Sequence, residues 1–159
     1  KVGCFLSHLR ILEDIVMNDL RNVLIVEDDA LQVNELPDCA HLPGDSITYL
    51  GGYIANKKIT SREKFDIDHR IGLNTLSKEY RMLTTLAYFV PNATVAKRIV
   101  KGLKELKRWR AIDISLPGVL EKVYYNYPAC FIEEPFKSTI RPTKSDFANE
   151  VFKTSRCKV

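Results

Sequence analysis

Val23-Leu24-Ile25-Val26-Glu27-Asp28-Asp29 sets four aliphatic residues directly against three carboxylates. A continuous β-branched and aliphatic run of this length reads as a strand buried on both faces, and it stops where the acids begin. Upstream, Phe5, Leu6, Leu9, Leu12, Ile15, Val16 and Leu20 recur at spacings of three and four. That period predicts an amphipathic helix from about residue 4 to residue 20, broken at Asp19 to Asn22. Downstream, a polar stretch with Pro37, Pro43 and Gly44 leads to a second short strand, Ile47 to Leu50, which ends in Gly51-Gly52. Residues 54–80 alternate basic and polar types with weak periodicity and read as a long excursion or flap.

Leu83 to Val90 reads as a third strand, and Pro91-Asn92 as a turn and helix start, with Val95, Ile99, Leu103 and Leu106 on one helical stripe. After Ala111-Ile112-Asp113, Pro117 suits the first turn of a short helix through about Tyr124, and Ala129 to Ile132 supplies a fourth strand. No internal repeat is present. Strands alternating with helices predict an α/β layer fold with a mostly parallel sheet, whose ligands bind beyond the carboxyl ends of the strands. Glu27-Asp28-Asp29 and Gly51-Gly52 both fall there.

The chain has 159 residues, 45% of them hydrophobic, enough for one core and short for two, so residues 1–159 are expected to form a single domain. The apolar runs fall far below the roughly 20 residues of a membrane-spanning helix, which predicts a soluble domain. Lys1-Val2-Gly3-Cys4 lacks the basic and apolar regions of a signal peptide. Cys4, Cys39, Cys130 and Cys157 show no Cys-x-x-Cys spacing and no His at zinc-finger distance, which argues against a structural zinc site. Free thiols are expected, with one disulfide in a lumenal protein as the alternative. The formal charge of +4 is unevenly placed, with seven basic residues against one acidic in Lys97 to Arg110 and a basic tail at Lys137, Arg141 and Lys144. Phosphate groups, nucleic acid or an anionic membrane surface would suit such a face, as would plain solvation.

Three carboxylates beyond a buried strand repel one another unless a cation or hydrogen-bond donors offset them. If the segment stays extended, Glu27 and Asp29 point to one side and Asp28 to the other, so that one pair can share a divalent ion. Oxygen ligands suit magnesium or manganese, which leave positions open for a pyrophosphate. The alternative is a helix-capping turn in which Asp28 or Asp29 accepts bonds from following backbone N–H groups.

Gly3-Cys4-Phe5-Leu6-Ser7-His8-Leu9 and Leu24-Ile25-Val26-Glu27-Asp28-Asp29-Ala30 together resemble the hallmark of glycosyltransferase family 25. Tyr49-Leu50-Gly51-Gly52, Thr85-Leu86-Ala87-Tyr88, Ala96 and Ala111-Ile112-Asp113 resemble its later blocks, in the same order. The family includes bacterial lipooligosaccharide and collagen hydroxylysine galactosyltransferases. The resemblance implies a GT-A-like, Rossmann-like nucleotide-diphospho-sugar transferase fold. It also implies a metal-dependent inverting transfer of a sugar, galactose in the first instance, from a UDP-sugar to a glycan or other hydroxyl acceptor.

On that resemblance, Glu27-Asp28-Asp29 stands in for an Asp-x-Asp motif. Asp29 is the first choice for holding Mn2+ (or Mg2+), Glu27 the second, and Asp28 faces the sugar. Asp113 is the candidate base, with an N-cap for a Ser115–Tyr124 helix as the other reading. Ser7, His8, Gly51, Gly52 and Thr85 are candidate substrate-binding residues, His8 by reaching the acidic strand end. For His8 a structural hydrogen bond is the alternative, and for Gly51-Gly52 a tight turn. His41 and His69 match no block.

Family members carry a further strand upstream of the Gly-Cys block, which the 159 residues do not include, so a catalytically silent binding or assembly domain is the second reading. Relatives work at the cytoplasmic face of the membrane or in the endoplasmic reticulum lumen. A metal-dependent phosphoester hydrolase or nucleic-acid binder is the third reading, but Trp109, Tyr124, Tyr125 and Tyr127 do not interleave with basic residues as a stacking platform requires, and no specific nucleic acid is expected.

Overall fold

The computed structural model describes residues 2–56, 70–108 and 110–133. Residues 57–69 of the expected excursion (with His69), Trp109, the basic tail Lys137, Arg141 and Lys144, and Cys157 lie outside the described residues.

The amino-terminal helix α1 spans Val2–Met17 and turns Phe5, His8, Leu12 and Ile15 inward, the i, i+3, i+4 rhythm of a single buried stripe. Strand β1, Val23–Val26, follows, then β2 (Ala30–Gln32), a 3₁₀ turn at Cys39–His41 and the long strand β3 (Thr48–Asn56). Strands β4 (Gly72–Thr75) and β5 (Tyr80–Val90) come next. Helix α2, Ala93–Lys104, is capped by Asn92, whose side chain accepts from Val95 N at 3.0 Å. Helix α3 (Ile112–Gly118) and strands β6 (Tyr124–Tyr127) and β7 (Phe131–Glu133) complete the described order.

The sheet is mixed, which corrects the expectation of a mostly parallel one. Its order is β1-β5-β3-β6-β4, with β7 also beside β3 and β2 beside β7. β5 lies antiparallel to both β1 and β3, whereas β6 and β7 lie parallel to β3. The expectation that Val23–Val26 is buried on both faces is corrected too. Among the described residues β1 is an edge strand beside β5, with Ile25 buried, Val23 and Leu24 half-buried and Val26 exposed. Its apolar run reflects packing on the layers above and below one edge rather than a central position. The expected helix through Tyr124 is also corrected. α3 begins at Ile112 and ends at Gly118, Pro117 lies inside it, and Tyr124 opens β6.

Alternation along the strands divides the core. Ile25, Tyr49, Tyr88 and Val90 join Phe5, Leu12, Ile99, Leu103, Ile112 and Leu116 under the helices. Leu50, Leu86, Phe89, Cys130 and Phe131 form a second cluster with Leu24, Ala30 and Leu42 packed against it. The helix layer is pinned at its outer surface by Lys104 Nζ, 2.6 Å from Glu13 Oε1. Cys4, Cys39 and Cys130 carry free thiols. Among the described residues no helix is long and apolar enough to cross a membrane.

Gly51 and Gly52 do not end β3; the strand runs on through them with register shifts against β5. Gly52 has φ +115°, and a Cβ there would lie 3.1 Å from Leu83 O and 3.1 Å from Thr84 Oγ1. A Cβ on Gly51 would come within 2.9 Å of Phe131 Cβ. The pair thus allows three strands to approach one another at a bulge. Gly52→Ala is expected to lower unfolding free energy by about 1–3 kcal/mol, because alanine must occupy a backbone region it disfavours against fixed carbonyls. Chemical denaturation of the two proteins measures this.

Candidate active site

Glu27 leaves β1 with its backbone still in the sheet, its N–H donating to Leu86 O at 2.9 Å. The chain then reverses, since Ala30 N donates to Glu27 O at 3.2 Å and Asp28 and Asp29 occupy the turn between. The carboxylates are therefore set by a β-turn rather than by the alternation of an extended segment, and no helix follows for them to cap. Asp28 is exposed at the tip, whereas Glu27 and Asp29 are part-buried.

Glu27 reaches inward to α1 and β5. His8 Nε2 lies 3.3 Å from Glu27 Oε1, and Thr85 Oγ1 donates to the same oxygen. On the other side of the imidazole, His8 Nδ1 is 2.9 Å from Tyr88 Oη. A carboxylate only accepts, so in a neutral ring Nε2 carries the proton and Tyr88 donates to Nδ1. The rings of His8 and Tyr88 also stack, with centroids 5.7 Å apart. The bond from His8 holds the Glu27 carboxyl below the usual carboxylate range; burial opposes it and the Thr85 bond assists.

Asp29 is in the opposite condition. Burial, then the charge of Glu27, push its carboxyl up, and Asp28 adds to this. Its Oδ1 is buried without a hydrogen-bond partner among the described residues. Asp113 joins from α3 as the second residue of that helix, whose N-cap is Ala111. The alternative reading of Asp113 as an N-cap is therefore not met. Its Oδ2 faces Thr84 N at 3.5 Å, and its Oδ1 is buried without a partner among the described residues. Thr84 itself has φ +68°, a conformation that costs a β-branched residue free energy and marks a locally constrained backbone.

Shared electrostatics link these groups. Burial pushes the Cys4 thiol up, with further contributions from Glu27, Asp113 and Asp29. The fully buried Tyr49 hydroxyl is pushed up by burial and by Tyr88, Asp113 and Glu27. One end of the sheet thus gathers Cys4 and His8 from α1, Glu27 and Asp29 from the turn, Thr85 and Tyr88 from β5, and Asp113 from α3. Among the predicted residues, Ser7 does not join them; it is exposed and donates to Gly3 O of its own helix at 3.1 Å. Gly52 sits behind the cluster against Thr84.

Sequence reading gave no role to Cys4, Thr84 or Tyr88. The i, i+4 spacing of Cys4 and His8 was the available signal for the first; the backbone strain at Thr84 has no sequence signature.

A recess of about 690 Å3, lined by Arg21, Asn22, Asp45, Asn92 and Arg98 among others, lies at the other end of β1. At the rise of a strand, Asn22 and Glu27 are roughly 16 Å apart, so this recess is separate from the carboxylates. The basic residues of α2 are partly engaged locally. Arg98 donates to Asp45 O, and Lys101 lies 4.0 Å from Glu105.

An α/β sheet that gathers acids beyond a strand end in this order of blocks is the arrangement of a sugar-transferase family. Residues 1–116 match glycosyltransferase family 25 (LPS biosynthesis protein), and the chain belongs to that family. It is 30% identical over 132 residues to the probable inactive glycosyltransferase 25 family member 3 of Bos taurus, an alignment covering 77% of this chain and 20% of that protein. The protein of the same name from Rattus norvegicus is 28% identical over 127 residues, covering 77% and 21%. The chain thus spans about a fifth of the length of these curated relatives. No solved structure matches it.

Because Glu27 is held charged by its donors, its contribution to stability is present above the carboxylate's unfolded range and lost as pH falls through its lowered folded value. Glu27→Gln is expected to cost about 1–2 kcal/mol at neutral pH, with the gap to the parent closing in acid. Asp29 carries the opposite sign and is common to both proteins. Denaturant titrations at neutral and acidic pH test this, and a gap that widens in acid contradicts the assigned bonds.

Proposed function

We propose that this domain takes part in a metal-dependent, inverting transfer of a sugar, galactose in the first instance, from a UDP-sugar to a glycan or other hydroxyl acceptor. One observation carries the reading: Asp29 and Asp113 each keep a buried carboxylate oxygen without a partner, in a neighbourhood they share with Glu27. Orphaned buried acceptors next to a second negative charge are the condition that a divalent cation relieves.

The residues present fit Mn2+ or Mg2+. Asp29 would hold the ion first and Glu27 second, through the oxygen that His8 and Thr85 leave unengaged. When bound, such an ion supplies Lewis-acid stabilisation of the charge on the leaving diphosphate. Asp28, exposed at the turn tip, is placed to meet the donor sugar. Asp113 takes the proton from the acceptor hydroxyl as that oxygen bonds to the anomeric carbon and the nucleotide diphosphate departs, a single displacement that inverts the centre. Thr84 N–H orients the Asp113 carboxyl, and His8 and Thr85 fix Glu27. In this reading Gly51 and Gly52 act by setting the β3–β5 bulge beneath Asp113. An endoplasmic reticulum or cytoplasmic membrane-face location suits such donors and acceptors.

The name of the bovine and rat relatives, probable inactive glycosyltransferases, supports a second reading, a catalytically silent domain that keeps the fold for binding or assembly. Calorimetry with UDP and Mn2+ separates the two. The enzyme is expected to bind UDP only with the ion, to lose that binding in Asp29→Ala, and to keep it in Asp113→Asn while transfer falls about 10²–10⁴-fold. No heat of binding in the folded parent supports the silent domain.

A further inference from the structure

We propose that Cys4, His8 and Glu27 form a binding site for a thiophilic divalent cation of the zinc type, which shares Glu27 with the oxygen-ligand reading but does not need Asp29. The Cys4 thiol sulfur, one His8 ring nitrogen and one Glu27 carboxylate oxygen all lie within 4.8 Å of one another. Cys4 and His8 stand four residues apart on α1, which places both side chains on one face. Glu27 arrives across from them at the end of β1.

The spacing suits a tetrahedral ion. Two ligands each about 2.0 Å from a tetrahedral centre are about 3.3 Å apart. His8 Nε2 and Glu27 Oε1 are 3.3 Å apart, long for a charge-assisted hydrogen bond.

The groups that orient such ligands are also in place. Tyr88 Oη lies 2.9 Å from His8 Nδ1 and can accept its N–H once Nε2 turns to the ion. Thr85 donates to the coordinating oxygen of Glu27. Sulfur and imidazole nitrogen select zinc over manganese or magnesium. Three protein ligands leave a fourth position for water, unlike the closed four-ligand site that the cysteine spacing excludes. Cys4 is exposed, so the ion has a path in.

Binding deprotonates the Cys4 thiol and moves the His8 proton from Nε2 to Nδ1, so one proton is released and affinity falls as pH is lowered.

The test is titration of metal-stripped protein with Zn2+ by calorimetry and with Co2+ by absorption. One equivalent is expected, with a thiolate-to-cobalt charge-transfer band in the near ultraviolet. Cys4→Ser, at an exposed position, is expected to abolish the band and weaken zinc at least about tenfold. Cys39→Ser, at the other exposed thiol among the described residues, and Asp29→Ala are both expected to keep the band. The inference is overturned if the parent gives no band, if the band survives Cys4→Ser, or if Asp29→Ala removes zinc binding while Cys4→Ser leaves it intact.

Discussion

The structure around the carboxylates depends on one interaction, the capture of Glu27 by His8 and Thr85. Glu27 stands where a hydrophobic strand ends and two further acids follow, so an unpaired charge there would add to a local repulsion. Two donors from different elements convert that cost into a tie. The imidazole comes from α1 and the hydroxyl from β5, and the carboxylate between them joins the helix layer to the sheet. Tyr88 extends the chain of bonds by one ring, into the core cluster under the helices. A buried network of this kind holds its members in fixed orientations as long as each has its partner.

Two carboxylates, Asp29 and Asp113, lie outside that network. Glu27 is hydrogen-bonded and held charged, whereas Asp29 and Asp113 each retain a buried oxygen with no partner among the described residues. That division sets a hydrogen-bonded, charged acid beside two whose buried oxygens are unsatisfied. Backbone constraint accompanies it. Thr84 adopts a left-handed conformation and turns its N–H toward Asp113, and Gly52 leaves the space that Thr84 and Leu83 fill. A bulge in the β3–β5 pairing thereby positions a residue of α3.

Much of this was legible in the sequence, for identifiable reasons. The spacing of Phe5, Leu12 and Ile15 gave α1, because a helix buries one stripe and little else. Asn92 with Val95, Ile99 and Leu103 gave α2, since a cap and a period together leave few alternatives. The run Val23 to Val26 gave β1 and the acids beyond it. Strand direction was not legible, because Leu86 to Val90 must be apolar whichever way its neighbours run. β4 and β6 went unread because Leu73 and Tyr124 to Tyr127 alternate weakly, and a short strand owes its existence to its partner more than to its own residues. The turn at Asp28 and Asp29 was masked by three acids that an extended chain would carry equally well. The convergence of Asp113 with Glu27 came from the block resemblance, since no local pattern relates residues so far apart.

The position of β1 has a consequence for assembly. Among the described residues it pairs only with β5, Val26 opposite Ala87, and β5 in turn lies against β3. The carboxylate turn is made before β3 and β5, so it has no sheet to join until both have followed. Closing so long a loop is entropically unfavourable unless β3 and β5 have already zipped together and present a ready edge. During synthesis, then, the acids wait in an unpaired segment, and the last of their fixtures to arrive is α3, which brings Asp113.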